Sequence, residues 1–291
     1  MSLLNVQFNH PGAQKPFKEG KGYQIIGSEI IREWNNDRNH YRKFLLNKGL
    51  FINDIYDRQP KEADLFFWGE WEGNSIFDPF INSNYSILPN GVHKPFHSIA
   101  IRGQQNTDPF VFGDHFKYCV CKQKGKLCDL STDSLILFGS VYPSLNKFYI
   151  DTVFIVKNAT TSQSVRFNGG KDYSKIYKEE TLEQLSEYLK APQVNSNNKL
   201  YHSKTWWDNK GYFSFVPCKL YDCDNGFERL FLSLDSPIFN LSSYPSGKSF
   251  LKKCSLTPNE LWEKITQIAF EQNFKLGIRF SEPPESNILG E

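Results

Sequence analysis

Short apolar runs, each closed by Gly, Pro, Asn or Asp, recur along this chain from Ala63 onward. DLFFWGEWE, HSIAIR, DPFVFGDHFKYCVC, DSLILFGSVY and KFYIDTVFIVK have the length and punctuation of strands. LILFGSVY and FYIDTVFIV, joined by PSLN, predict a hairpin near the centre of a sheet. Strand-like runs resume at KLYHSKTWW, GYFSFVPCKLY and ERLFLSL. Helical spacing is expected in three places. Over 28–49, Ser28 is placed to cap EIIREW, a second segment from Asp37 to Asn47 sets Tyr41, Phe44 and Leu45 on one face, and Gly49 stops it. Over 179–189, Leu182, Leu185 and Leu189 form a stripe. The third opens at Thr257-Pro258-Asn259-Glu260, which has the form of a capping box with Pro in the first turn, and buries Trp262, Ile265, Ile268 and Ala269.

Strands outnumber helices and do not alternate with them, which argues against a doubly wound domain. The pattern predicts an α+β fold: a mixed, mainly antiparallel, curled or barrel-like sheet flanked by three or four helices. The expected organisation is one domain over 1–291, with a helical N-terminal part over 1–60 and a possible subdivision at the linker-like segment 191–198 (APQVNSNN).

Composition sharpens this picture in two respects. Aromatic residues make up 15% of the chain, with 25 Phe and 14 Tyr, which favours pleated, half-buried surfaces. The 34 basic and 32 acidic residues leave a net charge of +2, too even for a general nucleic-acid or membrane coat. Six unevenly spaced Cys do not form the framework of a secreted disulfide scaffold. LLNVQFNHPGAQK turns polar too soon for a secretory leader, and no apolar run approaches the ~20 residues of a membrane helix. A cytoplasmic protein with reduced thiols is expected.

Candidate chemistry gathers between Phe66 and Cys128, where ionisable groups and large rings interleave with Gly and Pro, as in the lining of a pocket. In FFWGEWE a strand would set Trp68, Glu70 and Glu72 on one face and Trp71 on the other. Two carboxylates beside an indole suit general acid–base work, or the holding of a divalent cation. In NTDPFVFGDHF, Asn106 and Asp108 precede Pro109 in a turn where such side chains cap backbone amides. Gly113 then marks a bulge that would turn Asp114 and His115 into one cavity, with the imidazole as acid or base near neutral pH. Glu70, Asp114 and His115 are thus the expected catalytic groups, and Trp68, Glu72, Asp108 and Asn106 the expected ligand contacts, all at one concave site.

Other groupings are weaker. His115, Cys119, Cys121 and Cys128 are ligand-type residues, but C-x-C followed by a seven-residue step departs from zinc spacing. No cofactor is therefore expected, and zinc or another divalent cation stays a minor alternative. His93-x-x-x-His97 has helical chelating spacing, yet Pro95 opposes a helix. Lys117, Lys122, Lys124 and Lys126 form the one compact basic group, at what reads as a solvated hairpin tip. His202 and Trp206-Trp207 are isolated spots that packing explains. Phosphate loops, dinucleotide fingerprints, H-E-x-x-H and G-x-S-x-G are missing. The expected function is an enzyme or sensor acting on a nucleotide or exposed nucleobase, with aromatic walls for the ring and carboxylates for its amino groups. The alternatives are a non-catalytic module for nucleic acid or protein, and a metal-assisted hydrolase.

Overall fold

Neighbouring side chains point in opposite directions along the strands that dominate the described residues. The computed structural model describes residues 3–10, 22–32, 42–80, 89–98, 107–119, 125–161, 173–182, 199–220, 228–245, 247–251 and 254–286. Strands account for 47% and helical turns for 14%, so the fold is mostly β. The expected α+β arrangement with three or four flanking helices is overturned. Among the described residues there are two α-helices, Lys175–Tyr177 and Pro258–Glu271, and only the second reaches 7 residues.

The helix expected from Ser28 is a hairpin. β2 (Tyr23–Ile26) and β3 (Glu29–Arg32) pair antiparallel across Gly27-Ser28. The segment expected to continue as helix leads into β4 (Lys43–Ile52), with 37–41 outside the described residues. Phe44 and Leu45 lie on opposite faces: Phe44 packs with Phe66 and Trp68, while Leu45 joins the main core. Adjacent apolar pairs satisfy both periods, and here neighbouring strands decide between them. Within 179–189 only 179–182 are described; they belong to a π turn, Lys178–Leu182. The linker-like 191–198 also lies outside.

One sheet runs β14 (Gly247–Phe250), β1 (Asn5–Asn9), β9 (Leu135–Tyr142), β10 (Lys147–Thr161), β11 (Lys199–Ser203) and β8 (Lys117–Tyr118), with β13 (Phe231–Ser233) also on β10. The β9–β10 hairpin sits at its centre as the sequence predicts, its turn closed by Asn146 in the left-handed conformation. β10 is the spine, and its register against β9 slips between Ile150 and Thr152, making Asp151 the extra residue of a bulge. Before the bulge Phe148 and Ile150 enter the core under the long helix; after it Val153 and Ile155 do.

The second sheet runs β15 (Lys275–Phe280), β12 (Val216–Leu220), β5 (Lys61–Gly69), β4, β7 (Gly91–Pro95), β6 (Ser75–Pro79), β3 and β2. Because β15 pairs with β4 as well as β12, the strands β4, β5, β12 and β15 close into a ring without free edges. So small a ring has little room inside. Phe280, fully buried, lies 4.2 Å from the ring of Phe67 and packs where two glycines make way. A Cβ at Gly277 would fall 2.6 Å from the Phe280 ring, and one at Gly49 would fall 2.8 Å from the Arg279 carbonyl oxygen.

Val153 bridges to Phe215, directly before β12, so the chain passes there from the first sheet to the second. One core lies between the sheets and includes Phe8, Leu45, Phe67, Phe138, Phe154 and Val216. Another lies on the outer face of the first sheet, under Pro258–Glu271. That helix starts at Thr257 with the predicted capping box, and buries Trp262, Ile265 and Ala269; Ile268 is only partly covered. Trp262 Nε1 donates to the Phe213 carbonyl at 2.7 Å, so the indole is buried without an orphaned N–H. No helix among the described residues is long and apolar enough to cross a membrane.

The ring closure makes a testable statement. Gly49→Ala and Gly277→Ala should each destabilise by about 1–3 kcal/mol, the usual cost of overpacking. Adding Phe280→Leu should recover part of the loss at Gly277, where a ring is the obstacle. It should recover little at Gly49, where backbone is. Urea unfolding of the four variants checks this, and neutral alanines at both positions would contradict the closed ring.

Candidate functional site

The carboxylates of FFWGEWE are buried among cations. β4 and β5 pair with Lys43 opposite Gly69, a register that sets Arg42 across from Glu70 just beyond the strand ends. Arg42 Nη1 meets Glu70 Oε2 at 2.8 Å, and His10 Nδ1 approaches the same oxygen at 3.5 Å. On its other side Arg42 Nε lies 2.8 Å from Asp151 Oδ2, an ion contact too poorly angled to count as a hydrogen bond. Asp151 also binds Arg229, whose guanidinium stacks 4.6 Å from the Trp68 ring and reaches the Ser140 hydroxyl at 3.1 Å. All five ionisable side chains of this chain are within 4% of full burial.

Trp68 and Glu70 are thus linked, but through the protein's own Arg42, Asp151 and Arg229. The recess that Trp68 lines with Phe44, Phe66 and Arg229 has a volume of only about 10 Å³, too small for a ligand. Phe66 stacks on Phe44 at 5.2 Å and is buried with it, so this face of the sheet is covered. Glu72 is fully buried, bonds Lys43 Nζ at 3.1 Å and donates its backbone N–H to Thr107 at 2.9 Å. Burial, and then the charge of Arg32, pull the Lys43 ammonium down to about 8. Asp108 accepts from the Cys119 amide at 2.8 Å, the capping role open to an Asp before Pro. Asn106 lies outside the described residues.

Asp114 and His115 stand in a different setting. Asp114 is 82% exposed and pairs with Arg279, whereas Glu70 is 2% exposed. One carboxylate is wet and the other dry, so the single concave site expected for Glu70, Asp114 and His115 is not what the geometry builds. Gly113 has φ 85° and hydrogen bonds to Phe280 at the end of the strand ring. There Asp114, Arg279, Glu282, Glu62, Ser174 and Phe280 line a cleft of about 410 Å³.

Directly behind Asp114, His115 Nε2 meets His202 Nδ1 at 2.8 Å. His202 Nε2 lies 3.3 Å from both the Thr160 and Tyr173 hydroxyls, with the Tyr173 ring stacked over the imidazole. Lys117 is buried next to the pair, donates to the His115 carbonyl at 3.2 Å and stands 5.0 Å over the Tyr177 ring. Lys117 is therefore no part of a solvated basic tip. Burial, followed by the charge of Lys117, pulls His115 down to about 3 and His202 down to about 4. The expectation that His115 titrates near neutral pH fails for that reason: both imidazoles stay neutral and offer hydrogen bonds.

His202 was in view as an isolated residue; its partnership with His115 across 87 positions was not. Asp151 carried a readable signal, a charged residue in the middle of FYIDTVFIV, where no face is available to water. Cys119 and Cys128 are buried, and Cys121 lies outside the described residues. Among the described residues no three His, Cys, Asp or Glu side chains gather as a metal site requires. His93 lies in β7, bonded to Ser75, and His97 pairs with Glu179 at 2.7 Å, so the two do not chelate together.

Two predictions follow from these contacts. Arg42→Met should cost about 3–5 kcal/mol, because Glu70 loses its guanidinium and Asp151 keeps only Arg229. Arg42→Met with Glu70→Leu should regain much of it; a single variant within 1 kcal/mol of the parent in urea unfolding would contradict the chain of pairs. The histidine pair sets a pH dependence. Its folded pKa values of about 3 and about 4 lie below the 6.5 of an unfolded imidazole. Between those limits the unfolded chain binds protons that the folded one does not, so stability is full above about 6.5 and falls as the pH drops towards 4. Thermal unfolding from pH 7.5 to 4.5 should show this slope, and His115→Asn with His202→Asn should flatten it.

Comparison of this chain with protein-family models, curated proteins and solved structures finds no match, so what bears on its function is the geometry of these two settings.

Proposed function

We propose that this chain binds a nucleotide, or a nucleobase exposed in a nucleic acid, in the cleft between Asp114 and Arg279. The observation that carries the reading is the composition of one wall. Three carboxylates, Glu62, Asp114 and Glu282, stand with a single guanidinium, Arg279, beside the buried ring of Phe280. Carboxylates accept from exocyclic amino groups, and a guanidinium fork matches phosphate oxygens. A volume of about 410 Å³ lies within the range of small-molecule sites.

The Asp114–Arg279 pair is itself accessible, with the two side chains 82% and 45% exposed. An exposed ion pair contributes little to stability, so exchanging its internal contact for a ligand costs little. Gly113 brings main chain to the cleft without a side chain in the way, which suits close approach of a flat ring. The role supported is recognition. The adjoining His115–His202 pair is neutral at working pH and hydrogen-bonded within itself, so it is read as support beside Asp114, not as an acid that cycles its proton.

Calorimetric titration with nucleosides, nucleotides and a short single-stranded oligonucleotide tests the reading. A member of that panel should bind, and Asp114→Asn with Arg279→Gln should weaken it at least tenfold while leaving the unfolding temperature unchanged. Absence of binding by every member, or equal binding by the double variant, would remove this function.

A further inference from the structure

The end of the second sheet carries a second polar place that the cleft does not use. Arg32 closes β3 and is only 5% exposed. Its cross-strand neighbours are Tyr23 on β2 and Ser75 on β6, so these three side chains share a face. Ser75 Oγ lies 2.9 Å from His93 Nδ1 on β7. His93 stands opposite Leu45 on β4, and Lys43, two residues before Leu45, shares its face. Five strands therefore bring Tyr23, Arg32, Ser75, His93 and Lys43 onto one buried surface.

Charges on this surface do not cancel. Lys43 is matched by Glu72, but among the described residues no carboxylate pairs with Arg32, and its Nη1 has no hydrogen-bond partner. A guanidinium cannot shed its proton, so it cannot escape burial by becoming neutral. Unpaired polar atoms accumulate around it. His93 Nε2 has no partner, nor has either amide atom of Asn74, a fully buried residue next to Ser75. The imidazole is held well below its ordinary range by burial and then by Arg32 and Lys43. It is neutral, so Nε2 carries a proton whenever Nδ1 accepts from Ser75.

We propose that Arg32, His93 and Asn74 form an internal site for a phosphate-type oxyanion, either free or as the phosphoryl group of a larger ligand. One anion there balances Arg32, which no carboxylate matches among the described residues. The guanidinium, which also meets the Tyr23 hydroxyl, keeps the Nη1 donors in hand; His93 Nε2 on β7 and the Asn74 amide in the β5–β6 connection are further buried donors without partners, a set that suits an oxyanion. The site is separate from the Asp114–Arg279 cleft and does not rest on the function proposed for it.

Thermal unfolding and calorimetry in chloride buffer, with phosphate, sulfate or a nucleoside monophosphate added, test the proposal. Phosphate should raise the unfolding temperature of the unaltered chain by several degrees with single-site binding. Arg32→Gln should weaken that binding more than tenfold, whereas Arg279→Gln should leave it unchanged. Ser75→Asp places a carboxylate opposite Arg32. It should unfold at a higher temperature than the parent without phosphate and lose the response to it. A monophosphate that binds Arg279→Gln tenfold tighter than phosphate identifies a larger ligand as the source; equal affinity there identifies the free anion. The proposal is overturned if none of the three anions binds the unaltered chain, or if Arg32→Gln responds as the parent does. Should Arg32→Gln not fold, an unaltered phosphate response in Ser75→Asp overturns it equally.

Discussion

Everything in this fold is arranged around a line of charges that water does not reach. Arg229, Asp151, Arg42 and Glu70 alternate in sign from the first sheet to the second, and His10 meets Glu70 at the end of the line. Asp151 comes from the bulge of β10, Arg42 and Glu70 from the paired ends of β4 and β5, and His10 from the end of β1. Removing such groups from water costs several kcal/mol per ion, and the cost is offset only while each keeps its partner at contact distance. Sliding one sheet along the other would separate Asp151 from Arg42 and His10 from Glu70. Apolar packing alone tolerates such shifts, because Phe and Leu have no directional demand. The ion line does not.

The ring of β4, β5, β12 and β15 works with that line. Closure removes the two edges that an open sheet of these strands would keep and leaves Phe280 inside, against Gly49 and Gly277. It also fixes the end of β15, and with it Arg279 and the hydrogen bond from Gly113 to Phe280. The wet cleft is thus a by-product of how the ring is sealed: its walls are the residues just past the seal. At the far end of the same sheet, the open series β7, β6, β3, β2 carries the dry polar surface around Arg32. One sheet therefore holds two polar places of opposite character, an accessible one where ion pairs exchange readily and an enclosed one where a charge must be matched.

The neutral state of the histidines belongs to the same physics. His115, His202 and His93 are all pushed down by burial first and by neighbouring cations second. Among the described residues more cations than carboxylates are buried, and these three imidazoles stay uncharged and act as hydrogen-bonding groups. That turns attention from proton transfer to recognition at both places.

The sequence by itself determined the elements whose information is local. The capping box at Thr257 and Glu260, the stripe of Trp262, Ile265 and Ala269, and the PSLN turn between β9 and β10 are all written within a few residues. Asp108 before Pro109 was legible as a backbone cap for the same reason. Tertiary structure alone decided the rest. EIIR and the Phe44-Leu45 pair fit a helix as well as a strand, and only their strand neighbours made them strands. Glu70 is 28 residues from Arg42, His202 is 87 from His115, and Arg279 is 165 from Asp114. Whether a carboxylate is a catalyst, a ligand contact or one member of a buried pair depends on the partner that fills the space beside it. That partner is set by strand pairing across the whole chain, which local spacing does not encode.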